Sequence, residues 1–242
     1  MRDYKSETEK RIAFIRGILN ESKASGIIFG NSGGKDSALV GILSKMACDS
    51  TLGIMMPCQS KRNFAEDMKD ASDLAVKYGI SCRVVDLSEL KAMAVRIFGE
   101  KTTLSDNAVS NIAPRLRMLA LYTIGAAENR LVAGTGNRSE IYMGYFTKWG
   151  DGACDFNPIA DLTATEVVEY LEYLDAPKNI RKKAPSAGLF EGQTDEDEMG
   201  ITYEAIDNYL LNGIVSRENL RIIENYHKKG EHKRRKPKSF GD

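Results

Sequence analysis

The alternation of apolar and polar positions divides the first half of the chain into strand-length and helix-length pieces. Residues 9–22 place Ile12, Ile15, Ile18 and Leu19 on one face at helical spacing, and Gly26 interrupts that pattern ahead of the short apolar run Ile27, Ile28, Phe29. The spacing predicts a helix followed by a buried strand. A glycine-rich turn at 30–34 then opens onto residues 37–46, whose alanine, leucine and isoleucine content suits a helix packed on a sheet. Further strands are predicted at 52–56, 82–87 and 130–133, with helices at 62–78 (ended by Gly79), 88–98 and 112–129. Strands alternating with helices point to right-handed βαβ crossovers. The expected fold class is therefore α/β, a doubly wound, mainly parallel sheet with helices on both faces.

After Gly134 the texture changes. Residues 134–152 are rich in glycine and read as loop, and Thr163 with Glu166 forms a capping box that opens a helix over 163–174. Two more helices are expected at 203–211 and 218–226. Residues 184–200 carry Pro185, Gly188, Gly192 and the acids Glu191, Asp195, Glu196, Asp197 and Glu198, and read as a mobile surface loop. Like charges and scarce apolar anchors do not offset ordering entropy by burial, so residues 185–200 are expected to be a lid that orders over bound nucleotides. No internal repeat or long linker divides the chain, and residues 1–242 are read as a single domain.

Composition narrows the classes. At 42% hydrophobic and 28% charged residues the chain can bury a full core, and its 34 basic side chains balance its 34 acidic ones. That balance gives no reason to expect a nucleic-acid or membrane partner. The basic stretch at 227–238 reads as solvated surface. Cys48, Cys58, Cys82 and Cys154 form no CxxC pair and have no nearby histidine at metal-ligand spacing, so a zinc site or disulfide framework is not expected, and a reducing cytoplasm fits. The charged first ten residues and the lack of an eighteen-residue apolar run argue against a signal peptide or a spanning helix.

The strongest chemical signal is Ser32-Gly33-Gly34-Lys35-Asp36-Ser37, set between the first strand and a helix. Glycines there let the backbone turn tightly and approach an anion, while free amides of the loop and helix N-terminus point at it. A Walker A motif needs four residues between its glycines and Ser or Thr after the lysine, and here Asp36 follows Lys35. A GxGxxG fingerprint is absent too.

SGGKDS after a strand resembles the pyrophosphate-gripping loop of the ATP pyrophosphatase superfamily, whose members transfer AMP to a carboxylate or carbonyl. The loop alone leaves NAD, GMP, asparagine and argininosuccinate synthetases and tRNA-modifying enzymes open. The second half chooses: Gly134-Thr135-Gly136-Asn137 to Glu140, the run 144–152 (GYFTKWGDG), Asp155, Pro158, 183–189 (KAPSAGL), 193–203 (QTDEDEMGITY), Ile206-Asp207 and Glu231-His232-Lys233-Arg234 resemble NAD synthetases in the same order. The resemblance runs from about residue 10 to the end of the sequence.

It implies an adenine nucleotide alpha hydrolase-like fold and a ligase that adenylates deamido-NAD and amidates it with ammonia. ATP-binding positions would be Gly30, Asn31, Ser32, Gly33, Gly34, Lys35, Asp36, Ser37, Thr135, Lys183 and Ser186. Arg115, Lys148, Asp155, His232 and Lys233 would bind deamido-NAD, with Asp155 as an acceptor orienting substrate hydroxyls or the incoming ammonium. Asp36 and Asp155 are the expected catalytic residues, and Asp36 with Glu140 would ligate Mg²⁺, a hard cation that bridges phosphates. Arg117, next to Arg115 on the same predicted helix, reads as plain surface. The resemblance also implies a homodimer. A glutaminase domain would add about 200 residues, on the scale of a further domain, so free ammonia is the expected nitrogen donor. Two positions depart from the family: Ala164 stands where a lysine that contacts ATP commonly follows the threonine, leaving Lys35, Lys182 or Lys183 to supply that charge, and Asn31 replaces a small apolar residue. Two readings compete: a tRNA-modifying relative, which would carry paired cysteines or a basic added domain, and a nucleotide sensor that has lost turnover.

Overall fold

The computed structural model describes residues 2–58, 66–183 and 194–240. In its first half, helix α1 (Tyr4–Ser22) leads into β1 (Gly26–Gly30), α2 (Lys35–Ala47), β2 (Thr51–Met55), α3 (Met68–Tyr78) and β3 (Ser81–Val84). Then come α4 (Ser88–Gly99), α5 (Asp106–Ser110), α6 (Ile112–Ala127) and β4 (Arg130–Ala133). The remainder is helical: α7 (Arg138–Met143), α8 (Ala164–Tyr173), α9 (Lys178–Arg181), α10 (Asp195–Met199), α11 (Tyr203–Asn212), α12 (Arg217–Lys229) and α13 (Glu231–Arg234).

The strands pair in the order β3-β2-β1-β4, every pair parallel. Period-two alternation decides which side chain meets which layer. Ile27 and Phe29 point into a cluster with Ile15 of α1, Leu39 and Leu43 of α2 and Tyr170 of α8. Ile28, opposite Leu52 and Val132, points the other way and packs with Ile54 and Ala113 beneath Leu116, Leu121 and Ile124 of α6. Each fully buried Leu, Ile or Phe side chain contributes about 1.5–3 kcal/mol of burial free energy. Both faces of the sheet are thus covered, as the strand–helix alternation requires.

A third cluster forms away from the sheet. Met143 of α7, Met199 of α10, Ile206 of α11 and Ile223 of α12 pack together with Ile201 and Tyr203. Asp207, buried in α11, accepts hydrogen bonds from the Ser139 hydroxyl and from the Thr165 backbone amide (2.7 Å) and hydroxyl (2.8 Å). One carboxylate therefore fixes α11 against both α7 and α8.

Several elements differ from the sequence expectations. Helix α1 starts at Tyr4 because Asp3 caps it, accepting from the Ser6 amide at 3.2 Å. The glycine-rich stretch 134–152 contains α7, opened by a capping box in which the Asn137 side chain accepts from the Glu140 amide and Glu140 accepts from the Asn137 amide. Within the acidic stretch, residues 194–200 are not an unanchored loop. Thr194 caps α10, with Asp195 and Met199 buried, so apolar anchoring is present at that end. The rest of the expected lid, 184–193, lies outside the described residues.

Candidate active site

The chain order turns back at β1: β2 and β3 build the sheet on one side, and β4 is added on the other. In open parallel sheets the crevice at the carboxyl ends of the strands beside such a switch point is where ligands bind. Here that crevice is a cavity of about 1,010 Å³, walled by the carboxyl ends of β1, β2 and β4, by α6 and α7, and by the last turns of α12 with α13. Pockets for small ligands run to roughly 300–1,000 Å³, so this one lies at the large end of that range.

Of residues 30–37, all but Gly33 line the cavity. Ser32 and Ser37 share a hydroxyl hydrogen bond at 3.0 Å, and the Ser32 hydroxyl accepts from the Gly34 amide at 3.3 Å. Gly34, the N-cap of α2, offers no side chain to the first-turn amides, which leaves the positive end of that helix turned to the cavity. Gly33 faces the other way, at φ +71°, packed against the backbone carbonyl of Asp67. Asn31 is buried, and its amide donates to the Ala71 carbonyl at 3.0 Å. The departure from a small apolar residue thus ties the loop to α3.

Asp36 and Glu140 meet across the cavity through Asn137. The Asn137 side-chain amide donates to Asp36 at 3.0 Å, and its backbone amide donates to Glu140 at 3.0 Å. Protein encloses both carboxylates except on the cavity side. Burial pushes the Asp36 carboxyl above its usual range, and burial followed by the charge of Asp36 pushes Glu140 well above its own. Asp195 adds a third negative field on both. Lys35 lowers Asp36 only partly. Two hard carboxylates short of positive charge, beside the open N-terminus of α2, have the chemistry to hold a magnesium ion. Among the described residues no group of three or more His, Cys, Asp or Glu side chains is close enough to hold a metal alone.

Other expected residues are placed differently. Thr135 lines the cavity just past β4, and Arg115 lines it with its side chain exposed. Lys183 also borders it, but its ammonium is committed to Asp67 (2.8 Å), Asp70 (2.6 Å) and the Gly33 carbonyl (3.3 Å), so it braces the loop against α3. With Lys183 engaged and Lys182 off the cavity wall, Lys35 is the candidate for the charge that Ala164 lacks; Ala164 itself lines the cavity. Lys233 donates to the carbonyls of Gly144 (2.8 Å) and Phe146 (2.7 Å), and Lys148 to that of His232 (2.7 Å). These two lysines stitch the loop 144–152 to the C-terminal residues. The backbones there touch: a Cβ on Gly144 would stand 2.6 Å from the Gly230 Cα. His232 borders the cavity. Asp155 does not. It accepts from the Val132 amide (2.7 Å) and the Tyr122 hydroxyl (3.2 Å), joining β4 to α6, so the expectation that it faces the substrate inside this cavity is not met by the single chain. Ser186 lies outside the described residues.

Sequence reasoning missed Asn137, Arg117, Tyr145, Asp195 and Tyr203, all on the cavity wall. Asn137 carried a readable signal, since Asn137-x-x-Glu140 is the same capping pattern as Thr163-x-x-Glu166. The others carried none, because their placement depends on how distant helices pack.

Parallel sheet, open helix N-terminus and paired carboxylates define an α/β nucleotide-binding enzyme. The sequence model of the NAD synthase family matches residues 7–237, and the chain belongs to that family. A relative from Carboxydothermus hydrogenoformans, named NH(3)-dependent NAD(+) synthetase, is 47% identical over 97% of each chain. The solved NMN synthetase of Francisella tularensis superposes with a TM-score of 0.93 at 35% identity over the full length of both chains. The NH3-dependent NAD synthetase of Campylobacter jejuni superposes with a TM-score of 0.81 at 29% identity, over 99% of this chain and 100% of that one.

Proposed function

We propose that this chain is a ligase that adenylates deamido-NAD with ATP and amidates it with ammonia, giving NAD, AMP and pyrophosphate. The observation that carries this reading is the juxtaposition of the uncapped α2 N-terminus with the Asp36–Asn137–Glu140 carboxylate pair at the switch point of the sheet. The loop amides and Lys35 would hold the outer phosphates of ATP. Asp36 and Glu140 would hold Mg²⁺, which when bound neutralises phosphate charge. The nicotinic carboxylate oxygen attacks the α-phosphorus, the bond to the β-phosphate bridging oxygen breaks and pyrophosphate leaves. Ammonia then attacks the acyl carbon, the carbon–oxygen bond to AMP breaks, and the nitrogen sheds its extra proton. Alignment and charge stabilisation carry the rate, and no protein nucleophile is required.

Ammonia as donor is supported by the curated relative that this chain matches over 97% of its length, named as NH(3)-dependent. A second reading, nicotinate mononucleotide as the substrate, is favoured by the TM-score of 0.93 to an NMN synthetase against 0.81 to a dinucleotide enzyme. One assay separates the readings: ammonium-dependent AMP formation with each nicotinate nucleotide. We expect kcat/KM to favour deamido-NAD at least tenfold. A reversed ratio would establish the mononucleotide reading, and no AMP with either substrate would refute ligase activity.

Assembly as a homodimer is part of the proposal. Helix α4 buries none of its side chains: Leu90, Met93, Ile97 and Phe98 stand exposed on it, and Leu119 stands exposed on α6, the helix it packs against. A helix of that composition calls for a cover. Asp155 is exposed and accepts from Tyr122, one turn from Leu119 on α6, and the proposed second copy covering this helix would reach it. Sedimentation is expected to give the dimer mass for the parent protein and the monomer mass for Ile97→Glu with Leu119→Glu; a monomeric parent protein refutes the assembly. Among the described residues no helix is long and apolar enough to cross a membrane. The four cysteines are free, which accords with a cytoplasmic enzyme.

A further inference from the structure

Arg117 sits on α6 with its side chain on the cavity wall, where surface exposure was expected. Its Nε donates to the Met56 carbonyl at 3.3 Å, and among the described residues this is its only hydrogen bond. A guanidinium has five N–H donors in a rigid fork, so both terminal nitrogens are left with unspent donors. The two carboxylates whose fields reach it are engaged elsewhere: Asp67 pairs with Lys183 at 2.8 Å, and Asp151 accepts from the Thr147 amide at 2.9 Å. The side chain is half-buried, and burial lowers the guanidinium from its ordinary range. The terminal nitrogens are not sealed in protein but open to the cavity, so their donors are available to a ligand there.

Position narrows which ligand group they meet. Asp67 touches the back of the phosphate loop at Gly33, and Asp151 closes the loop 144–152 and reaches Glu140 with its field. Arg117 therefore stands between the loop proposed to hold the outer phosphates and the loop proposed to hold the nicotinate nucleotide. The group that must occupy that junction is the phosphoryl that passes from one to the other. We propose that Arg117 grips the α-phosphate of ATP with its two terminal nitrogens and keeps hold of it in the adenylate, an inference that rests on the adenylation reading above. Planar, bidentate recognition of a phosphate is what arginine does and lysine does not.

Binding of AMP and of adenosine, measured by calorimetry on the parent protein and on Arg117→Ala and Arg117→Lys, tests the contact without depending on turnover. Adenosine should bind all three alike, while AMP should weaken about 10- to 100-fold in Arg117→Ala, the range for a charge-assisted hydrogen bond, and only partly recover in Arg117→Lys. In turnover, kcat of Arg117→Ala should fall about 100-fold or more with a smaller change in the KM for ATP, and methylguanidinium should restore part of it. Should Arg117→Ala fold poorly by circular dichroism, Arg117→Gln keeps the packing and carries the same expectations. An AMP affinity that falls no more than that for adenosine overturns the proposal, as does a loss confined to the nicotinate nucleotide. Absence of turnover in the parent protein with an AMP contact intact would instead count against the ligase reading alone.

Discussion

Glu140→Gln is expected to lower turnover about 100- to 1,000-fold and, in the absence of magnesium, to raise the melting temperature. Glutamine can serve in a capping box as glutamate does, so the hydrogen bond from the Asn137 amide (3.0 Å) and the start of α7 should survive. What disappears is a hard anionic ligand, and losing one such electrostatic element costs about 10²–10³ in kcat. The stability gain has the opposite origin. Folding raises the pKa of Glu140, through burial and then through Asp36, so the folded state holds that proton more tightly than the unfolded state does. Stability is then lost as pH climbs from the unfolded pKa towards the folded one, so above that window the buried carboxylate is a net cost to folding. Removing one charge relieves it, and each kcal/mol regained moves the midpoint by about 2–4 °C in a domain of this size. Melting scans in EDTA at pH 8 and pH 4 should show a gain at the higher pH that shrinks at the lower. A fall in the midpoint at pH 8, or turnover within tenfold of the parent protein, would show that the two carboxylates do not form a charge-starved metal site.

The second large effect is expected at Gly33. Its φ of +71° lies where an L side chain costs about 1–2 kcal/mol, and a Cβ there would overlap the carbonyl oxygen of Asp67. Asp67 cannot yield freely, being held to Lys183 at 2.8 Å. Gly33→Ala should therefore push the phosphate loop off its position, and a displacement near 1 Å costs about 10²-fold in rate. Gly34→Ala is the contrast, since a Cβ there meets only the Ser32 hydroxyl at 3.2 Å, and its kcat/KM should stay within about tenfold of the parent's. Equal effects at the two positions would mean that cavity-side contact with ATP, and not the packing of the loop on Asp67, governs both.

The sheet was legible because its strands are short apolar runs separated by helix-length segments. Ile27 to Phe29 and Arg130 to Ala133 fall where the pattern places them. Helix α7 was hidden because glycines on either side outweighed a capping signal that was present at Asn137 and Glu140. Helix α10 was hidden because five acids suggest solvation, whereas Met199 and Asp195 are drawn inward by tertiary packing. For the site, the position of the glycine-rich turn between β1 and α2 could be read directly. What could not be read was which polar atoms are already used: Lys183, Lys148 and Lys233 look like free cations in sequence, yet each is spent on protein partners, while Arg117 looks like surface and keeps its donors. That ledger of used and unused donors is set by segments 60 to 150 residues apart, beyond the reach of any local pattern.

The contact between Gly144 and Gly230, sealed by Lys233 on the carbonyls of Gly144 and Phe146, has a bearing on how the enzyme is made. A growing chain released as far as β4 holds β1 to β4 but still lacks α8, whose Tyr170 packs beneath β1 and α2, and Lys183, which braces the loop at 30–37. Within the loop at 144–152 the Thr147 and Gly150 carbonyls are met locally, but those of Gly144 and Phe146 wait for Lys233, nearly ninety residues later. Domains generally fold as units during synthesis, and this one finishes its second substrate wall last. A chain stopped short of Lys233 would leave this wall of the cavity open, and the basic stretch that looked like solvated surface is what closes it.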